Sequence, residues 1–431
     1  MPARDMAMGA APGMLAPPIA QVAAVPFSER LLQVVLYITV LASSVAIIEP
    51  SPHDFLMGVL LVTGLIAGVR FERALVLLLL LLLLWNFGGL LSLLNVVGQE
   101  KTLQYAGTSI YLAVAGLLFA CLFARNSMPR LTAMRTAYVA TAVIASFLGM
   151  AGYFDLFGTG DLFAPIGRAA AAFKDPNVFG PFLIWPALFG MERMLTRHVG
   201  ILDIVVTGIL LFGLLLSFSR GAWFHFVLSA TVMAVLAFLT APTMRSRLRV
   251  FTLAVGGVAG LGAVLVVLLS FQSIGEMFKE HVHLLNYYDV GQGGRFRLQE
   301  LAVAALLKFP NGMGPFGFES AHGMQQHNVY LQAFMVYGWL GGVTYVLLIL
   351  TTLLVGLRTA LVPTPWQPYV ITAFAAFVGE VAEGAIIDTD HWRHFFLLFG
   401  MIWGLYAATL RRVRSAQPEP RIRWAAATQA H

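Results

Sequence analysis

A histidine heads an apolar run in the stretch QQHNVYLQAFMVYGWLGG, residues 325–342, and glycines follow at 338, 341 and 342. Imidazole can accept a proton near pH 7, so His327 is a candidate general base; the plainer reading is a polar anchor at a water boundary. Candidate partners are spread along the chain. Arg220 sits between two apolar runs in SFSRGAWF, residues 217–224, and Arg295 and Arg297 follow glycines in GGRFRLQELAVAALLKF, residues 293–309. A guanidinium can grip phosphate oxygens with two parallel hydrogen bonds, and free N–H groups at a glycine-led helix start add to an anion site. Against this, Arg220 can snorkel at a membrane edge and Arg295 can touch lipid headgroups. Arg168 and Asn177, in GRAAAAFKDPNVFG at 167–180, and Asn328 beside the histidine are further candidate substrate contacts. The DPN at 175–177 also suits a helix start. Asp388 and Asp390, in EGAIIDTDHWRH at 383–394, have the spacing by which nucleotide-sugar transferases hold a cation.

Only membrane helices can position these residues. The 431-residue sequence is 59% hydrophobic and 11% charged, with uncharged runs such as residues 74–94, the composition of an all-α polytopic membrane protein. Apolar windows predict about twelve spans, near 31–49, 55–69, 74–94, 105–123, 131–153, 178–194, 200–217, 221–240, 249–271, 327–356, 367–386 and 393–410. The basic clusters RFER near 70, ARNSMPR near 125, ERMLTRH near 192, MRSRLR near 244 and RRVR at 411 all fall on one side, which marks the cytoplasm. The resulting organisation is a flexible cytoplasmic tail over 1–29, spans one to nine within 30–271, a large periplasmic loop over 272–326, spans ten to twelve within 327–411, and a second cytoplasmic tail over 412–431. Every candidate residue named above then faces the outer side. Activated nucleotide sugars are not expected there, so helix capping or orientation of a nearby base suits Asp388 and Asp390 better than a metal, and no metal is expected.

Periodicity adds detail. Phe296, Leu301, Ala305 and Phe309 recur near helical spacing, which predicts an amphipathic helix lying on the membrane within the periplasmic loop. In one continuous helix Gly338 would share a face with His327, about 16 Å deeper, and Gly341 would lie within about 40° of that face. Small residues there let another helix come close, and a helix N-terminus disfavours imidazolium. The lone Cys121 excludes a disulfide framework and a cysteine-rich metal site.

His327 and Asn328, nine residues, Gly338, two residues and Gly341 fit the pattern H-[NSQ]-x9-G-x-x-[GTY]. With SRGAW and the GR ahead of the amphipathic stretch, the chain resembles the O-antigen ligase and polymerase superfamily over about residues 165–395. The resemblance implies a glycosyltransferase of the bacterial inner membrane, with its active site on the periplasmic face, an undecaprenyl-pyrophosphate-linked glycan as donor, and no cofactor. Arg220 and Arg295 are similar to the family's two pyrophosphate-handling arginines, and His327 to its essential histidine. Gln299 stands where the family often has tryptophan. The expected acceptor is lipid A-core, as in a ligase; a polymerase of O-antigen, capsule or exopolysaccharide would use a lipid-linked glycan instead. Membrane lipids are expected partners and nucleic acid is not. A polysaccharide transporter would place ionisable or helix-breaking features near the midplane of repeated halves. Glu380 and Glu383 are the only acidic pair well inside a predicted span, toward its outer end, and the sequence has no internal repeat.

Overall fold

The computed structural model describes residues 25–96, 100–282 and 294–416. Most of the two expected tails, residues 1–24 and 417–431, and part of the expected loop, 283–293, lie outside the described residues. Among the described residues the regular structure is helical, with no strand. The helices are α1 Phe27–Leu41, α2 Pro52–Ile66, α3 Val76–Ser92, α4 Glu100–Ala124, α5 Ser127–Tyr153, α6 Gly160–Phe163, α7 Pro176–Thr196, α8 Ile201–Leu216, α9 Arg220–Thr240, α10 Met244–Leu269, α11 Gln272–Val282, α12 Arg295–Leu306, α13 Gly317–His322, α14 Val329–Ala360, α15 Gln367–Glu383 and α16 Arg393–Ala416. Since α1 begins at Phe27 and α16 runs to Ala416, the tail boundaries expected at 29 and 412 move outward.

Each expected span overlaps a helix. Seven among the described residues are long and apolar enough to cross a membrane: 73–95, 100–124, 127–153, 220–240, 244–269, 329–360 and 393–415. The 21-residue α7, with Pro181 and Pro186 inside it, is long enough but not apolar enough. The 15 residues of α1 and of α2, the 16 of α8 and the 17 of α15 fall short of that length. At 1.5 Å per residue they reach only about 22–26 Å, against a hydrocarbon core of about 30 Å. The chain is a multi-pass membrane protein. Its α10 has a single buried residue, Val250, because a helix apolar on all sides can face lipid.

The bundle has two chemically distinct ends. At one, Glu29 receives Arg130 at 3.0 and 2.7 Å, and Glu72 pairs with Arg125 and Arg411. The starts of α7, α9, α14 and α16 lie at the other, where the candidate residues are. Glycines close the seams between. A Cβ on Gly88 of α3 would fall 2.6 Å from Tyr337 O and from Gly341 N, and one on Gly404 of α16 would fall 2.6 Å from Ala120 O. Backbones approach this closely in membranes only where side chains are minimal.

One expectation is overturned here. The helix after His327 is not continuous: Gly338 has φ 66° and ψ −172°, so no shared face can be carried from the histidine to Gly338 and Gly341. Residues 310–313 enter the break. Met313 N donates to Met335 O at 2.6 Å and Trp339 N to Pro310 O at 2.8 Å, which satisfies backbone groups the interruption leaves open. A Cβ on Gly338 would lie 2.7 Å from the Asn311 carbonyl carbon, so the position needs glycine both for its φ and for space.

The amphipathic α12 also differs from expectation. Leu298, Ala302 and Ala305 pack on Phe318 and Met335, while Phe296 and Phe309 are exposed. The four apolar positions read from the sequence therefore do not form one lipid-facing stripe, because α12 docks on protein through a different face.

Candidate active site

His327 precedes α14 in a left-handed backbone conformation, φ 49°. Asn328 caps the helix, its Oδ1 accepting from Tyr330 N and Leu331 N at 3.1 Å. Its Nδ2 donates to Ala385 O at 3.0 Å, and Val329 N donates to Gly384 O at 2.8 Å. These bonds clamp the histidine to the end of α15. Asn328 thus uses its side chain on the backbone. Gln299, one helical turn beyond Arg295, adds 3.4 Å bonds to the carbonyls of His327 and Ala385. Its position where the family often has tryptophan gave no hint of this role.

Beside the imidazole lies Asp388, with its Oδ2 3.8 Å from His327 Nδ1. Burial, together with the charge of Asp390, raises the Asp388 carboxyl to about 7. Burial and the Arg295 guanidinium push His327 below 6.5, partly offset by Asp175 and Glu319. The Arg295 charge therefore acts on both members of the pair. A neutral ring is the form that can take a proton.

A second cationic group forms on the other side. Arg168 donates to Ser217 O at 2.8 Å and to Asn177 Oδ1 at 2.9 Å. Burial lowers its pKa, Asp175 opposes that, and the Arg220 charge lowers it further, so the two guanidiniums are electrostatic neighbours. Ser217 precedes Arg220 by three residues, and Asp175 caps α7 by accepting from Asn177 N at 2.8 Å. The DPN triplet is thus a helix start, and it also supplies the Arg168 partner Asn177. Ala171 and Phe218, in the segments that carry Arg168 and Arg220, have φ of 51° and 46°. Left-handed non-glycine residues in three converging segments mark strain of the sort that accompanies functional sites.

Two expected contacts separate from this group. Arg297 points to solvent and pairs with Glu300 at 2.8 Å, both more than half exposed. Asp390 is buried, accepts from Tyr105 Oη at 2.9 Å and lies 3.1 Å from His391 Nδ1. Burial opposes its charge, but His391 and Tyr105 hold the carboxyl below its usual range. Alternate residues of the DTD triplet face different ways, so one carboxylate meets His327 and the other locks the loop. The sequence also gave no role to His225 of α9, whose Nδ1 is 2.8 Å from Glu383 Oε2 and whose Nε2 is 3.0 Å from Ala376 O. The signal available was an imidazole in one apolar run and the acidic pair Glu380 and Glu383 in another.

One end of the helical bundle thus holds arginines, which can bind anionic groups, beside an imidazole–carboxylate pair, which can move a proton. The family model described as O-Antigen ligase matches residues 205–346, which supports membership of the O-antigen ligase superfamily. The match supports a membrane glycosyltransferase of the O-antigen ligase or polymerase type. It contains Arg220, Arg295, His327, Gly338 and Gly341; Arg168, Asn177, Asp388 and Asp390 lie outside it. No curated protein matches the chain.

Proposed function

We propose that the protein transfers a glycan from undecaprenyl pyrophosphate to a hydroxyl of lipid A-core, at the periplasmic face of the inner membrane. The observation that carries this reading is the grouping of the His327–Asp388 pair with Arg295 and of Arg168 with Arg220, at segments linked through Asp175, whose charge acts on both His327 and Arg168. Transfer breaks the bond between the anomeric carbon and the pyrophosphate, so negative charge grows on the leaving oxygen. Arg220 and Arg295 neutralise it, and Arg168, tethered to Asn177, adds charge beside Arg220. The acceptor hydroxyl loses its proton to His327 as it attacks, and ionised Asp388 orients the ring and favours the imidazolium that forms. Direct attack in this arrangement inverts the anomeric configuration.

The test is transfer in proteoliposomes containing purified protein and undecaprenyl-pyrophosphate-linked glycan. Labelled glycan should pass to lipid A-core. Appearance instead of longer chains on undecaprenyl pyrophosphate would make the protein a polymerase. No transfer to either acceptor would refute the reading.

A further inference from the structure

Two segments that supply the active site also line a cavity of about 160 Å³, between the outer ends of α1, α2, α5, α7 and α16. Lys174 belongs to the segment of Asp175 and Asn177, and His391 follows the triplet that contains Asp388. The cavity has room for roughly five to ten waters, about the space of one sugar ring.

Its lining has a consistent chemistry. The rings of Tyr138, Phe182 and Trp392 supply apolar faces. Imidazoles come from His53, His391 and His394. His53 Nδ1 bonds the Thr39 carbonyl at 2.9 Å and must therefore carry the proton, which leaves Nε2 as an acceptor. His394 is only 7% exposed, and its Nε2, 3.4 Å from Glu380 Oε1, has no hydrogen-bond partner among the described residues. Nor has His391 Nε2. Buried polar nitrogens left in this way are costly unless something bonds them. The cations at the cavity are already matched. Lys174 pairs with Glu49 at 2.7 Å, and Arg393 grips Asp54 through two bonds of 2.8 and 2.7 Å. An anion would have to break these pairs. A neutral, hydroxyl-rich ring with one apolar face would not.

We propose that this cavity is a subsite for one uncharged sugar residue of the glycan substrates, an inference that rests on the transferase reading above. The sugar can come from the donor glycan or from the acceptor, and one variant separates the sources. Ala46→Phe fills the cavity from the segment after α1, whereas Arg168, Arg220, Arg295 and His327 do not line it. The probes are bare undecaprenyl pyrophosphate and undecaprenyl-pyrophosphate-linked glycan, bound to detergent-solubilised protein, together with acceptor kinetics in proteoliposomes. A donor sugar gives at least tenfold weaker binding of the glycan-bearing carrier with bare carrier unchanged. An acceptor sugar leaves both carriers unchanged and raises the acceptor KM at least tenfold at retained kcat. Monodisperse Ala46→Phe protein that is unchanged in all three measurements overturns the proposal, as does equal weakening of both carriers. If Ala46→Phe does not fold, the half-exposed Lys174→Met carries the same comparison with a threefold threshold. Wild-type protein that binds neither carrier overturns the transferase reading, and this subsite with it.

Discussion

Two of the imidazole–carboxylate pairs near the same end of the bundle differ in almost every physical respect. His225 and Glu383 are 1% exposed, 2.8 Å apart, and carried by helices, with the second ring nitrogen of His225 held by Ala376 O. His327 and Asp388 are 3.8 Å apart, carried by loops, and their side chains are 28% and 20% exposed. The first pair has both nitrogens occupied and no solvent path, so it can hold two helices but cannot exchange a proton with a substrate. The second has one nitrogen toward a carboxylate at more than hydrogen-bond length, a cation nearby, and an opening. Proximity of an acid to a histidine therefore does not distinguish a reactive pair from an anchor; access does. The anchor still matters to the site: a Cβ on Gly221 would lie 2.7 Å from Glu383 Oε1, so the buried pair packs directly under the residue after Arg220.

This contrast can be broken by measurement. The largest effect should follow His327→Ala, with transfer per folded molecule falling about 10²- to 10⁴-fold while binding of the lipid-linked donor persists. Normal turnover would reduce His327 to an anchor like His225. Next come Arg220→Lys and Arg295→Lys, which keep charge but lose the planar fork; about 10- to 100-fold loss is expected in the same proteoliposome assay. Wild-type rates at both saturating and subsaturating donor would dismiss the pyrophosphate role.

A smaller loss, about tenfold, is expected from Asp388→Asn, and the pH profile is the sharper readout. Activity that needs the Asp388 carboxylate is present above about 7 and lost as pH falls through that value. The variant should lack this step and retain only a lower acid limb, below 6.5, where His327 becomes charged. Removing the Arg295 charge, as in Arg295→Gln, should move that lower limb upward, because one cause of the depression is gone. A profile identical to wild type in Asp388→Asn would detach the carboxylate from catalysis. The smallest effect on turnover belongs to His225→Ala. It should cost about 3–5 kcal/mol of stability, seen as a lower Tm, because Glu383 is left buried and unpaired. Turnover per folded molecule should hold; loss at full folding would show that the anchor does more than hold α9.

Much of this arrangement was legible beforehand. The helices were, since uninterrupted apolar runs have few other folds available. His327, Arg220 and Arg295 stood out because polar groups in such runs are costly and therefore conspicuous. The break at Gly338 was not legible. A glycine inside an apolar run is compatible with a straight helix, and only the insertion of residues 310–313, with Met313 N on Met335 O, makes the interrupted form the satisfied one. The divergence of Asp388 from Asp390 was hidden for a similar reason, since a two-residue spacing does not reveal which side chain turns toward Tyr105.

By itself the sequence determined the class: its hydropathy demanded a helical membrane protein, and its motif residues offered a candidate base and two candidate cations. Tertiary structure alone decided which histidine is accessible, which aspartate meets it, that Arg168 joins Arg220 while Arg297 turns to solvent, and that Gln299 bonds the His327 carbonyl. The physical reason is range. Burial and helix formation follow from composition over neighbouring residues, whereas pairing and access depend on side chains such as His327 and Asp388 that are far apart in the chain and meet only when the bundle closes.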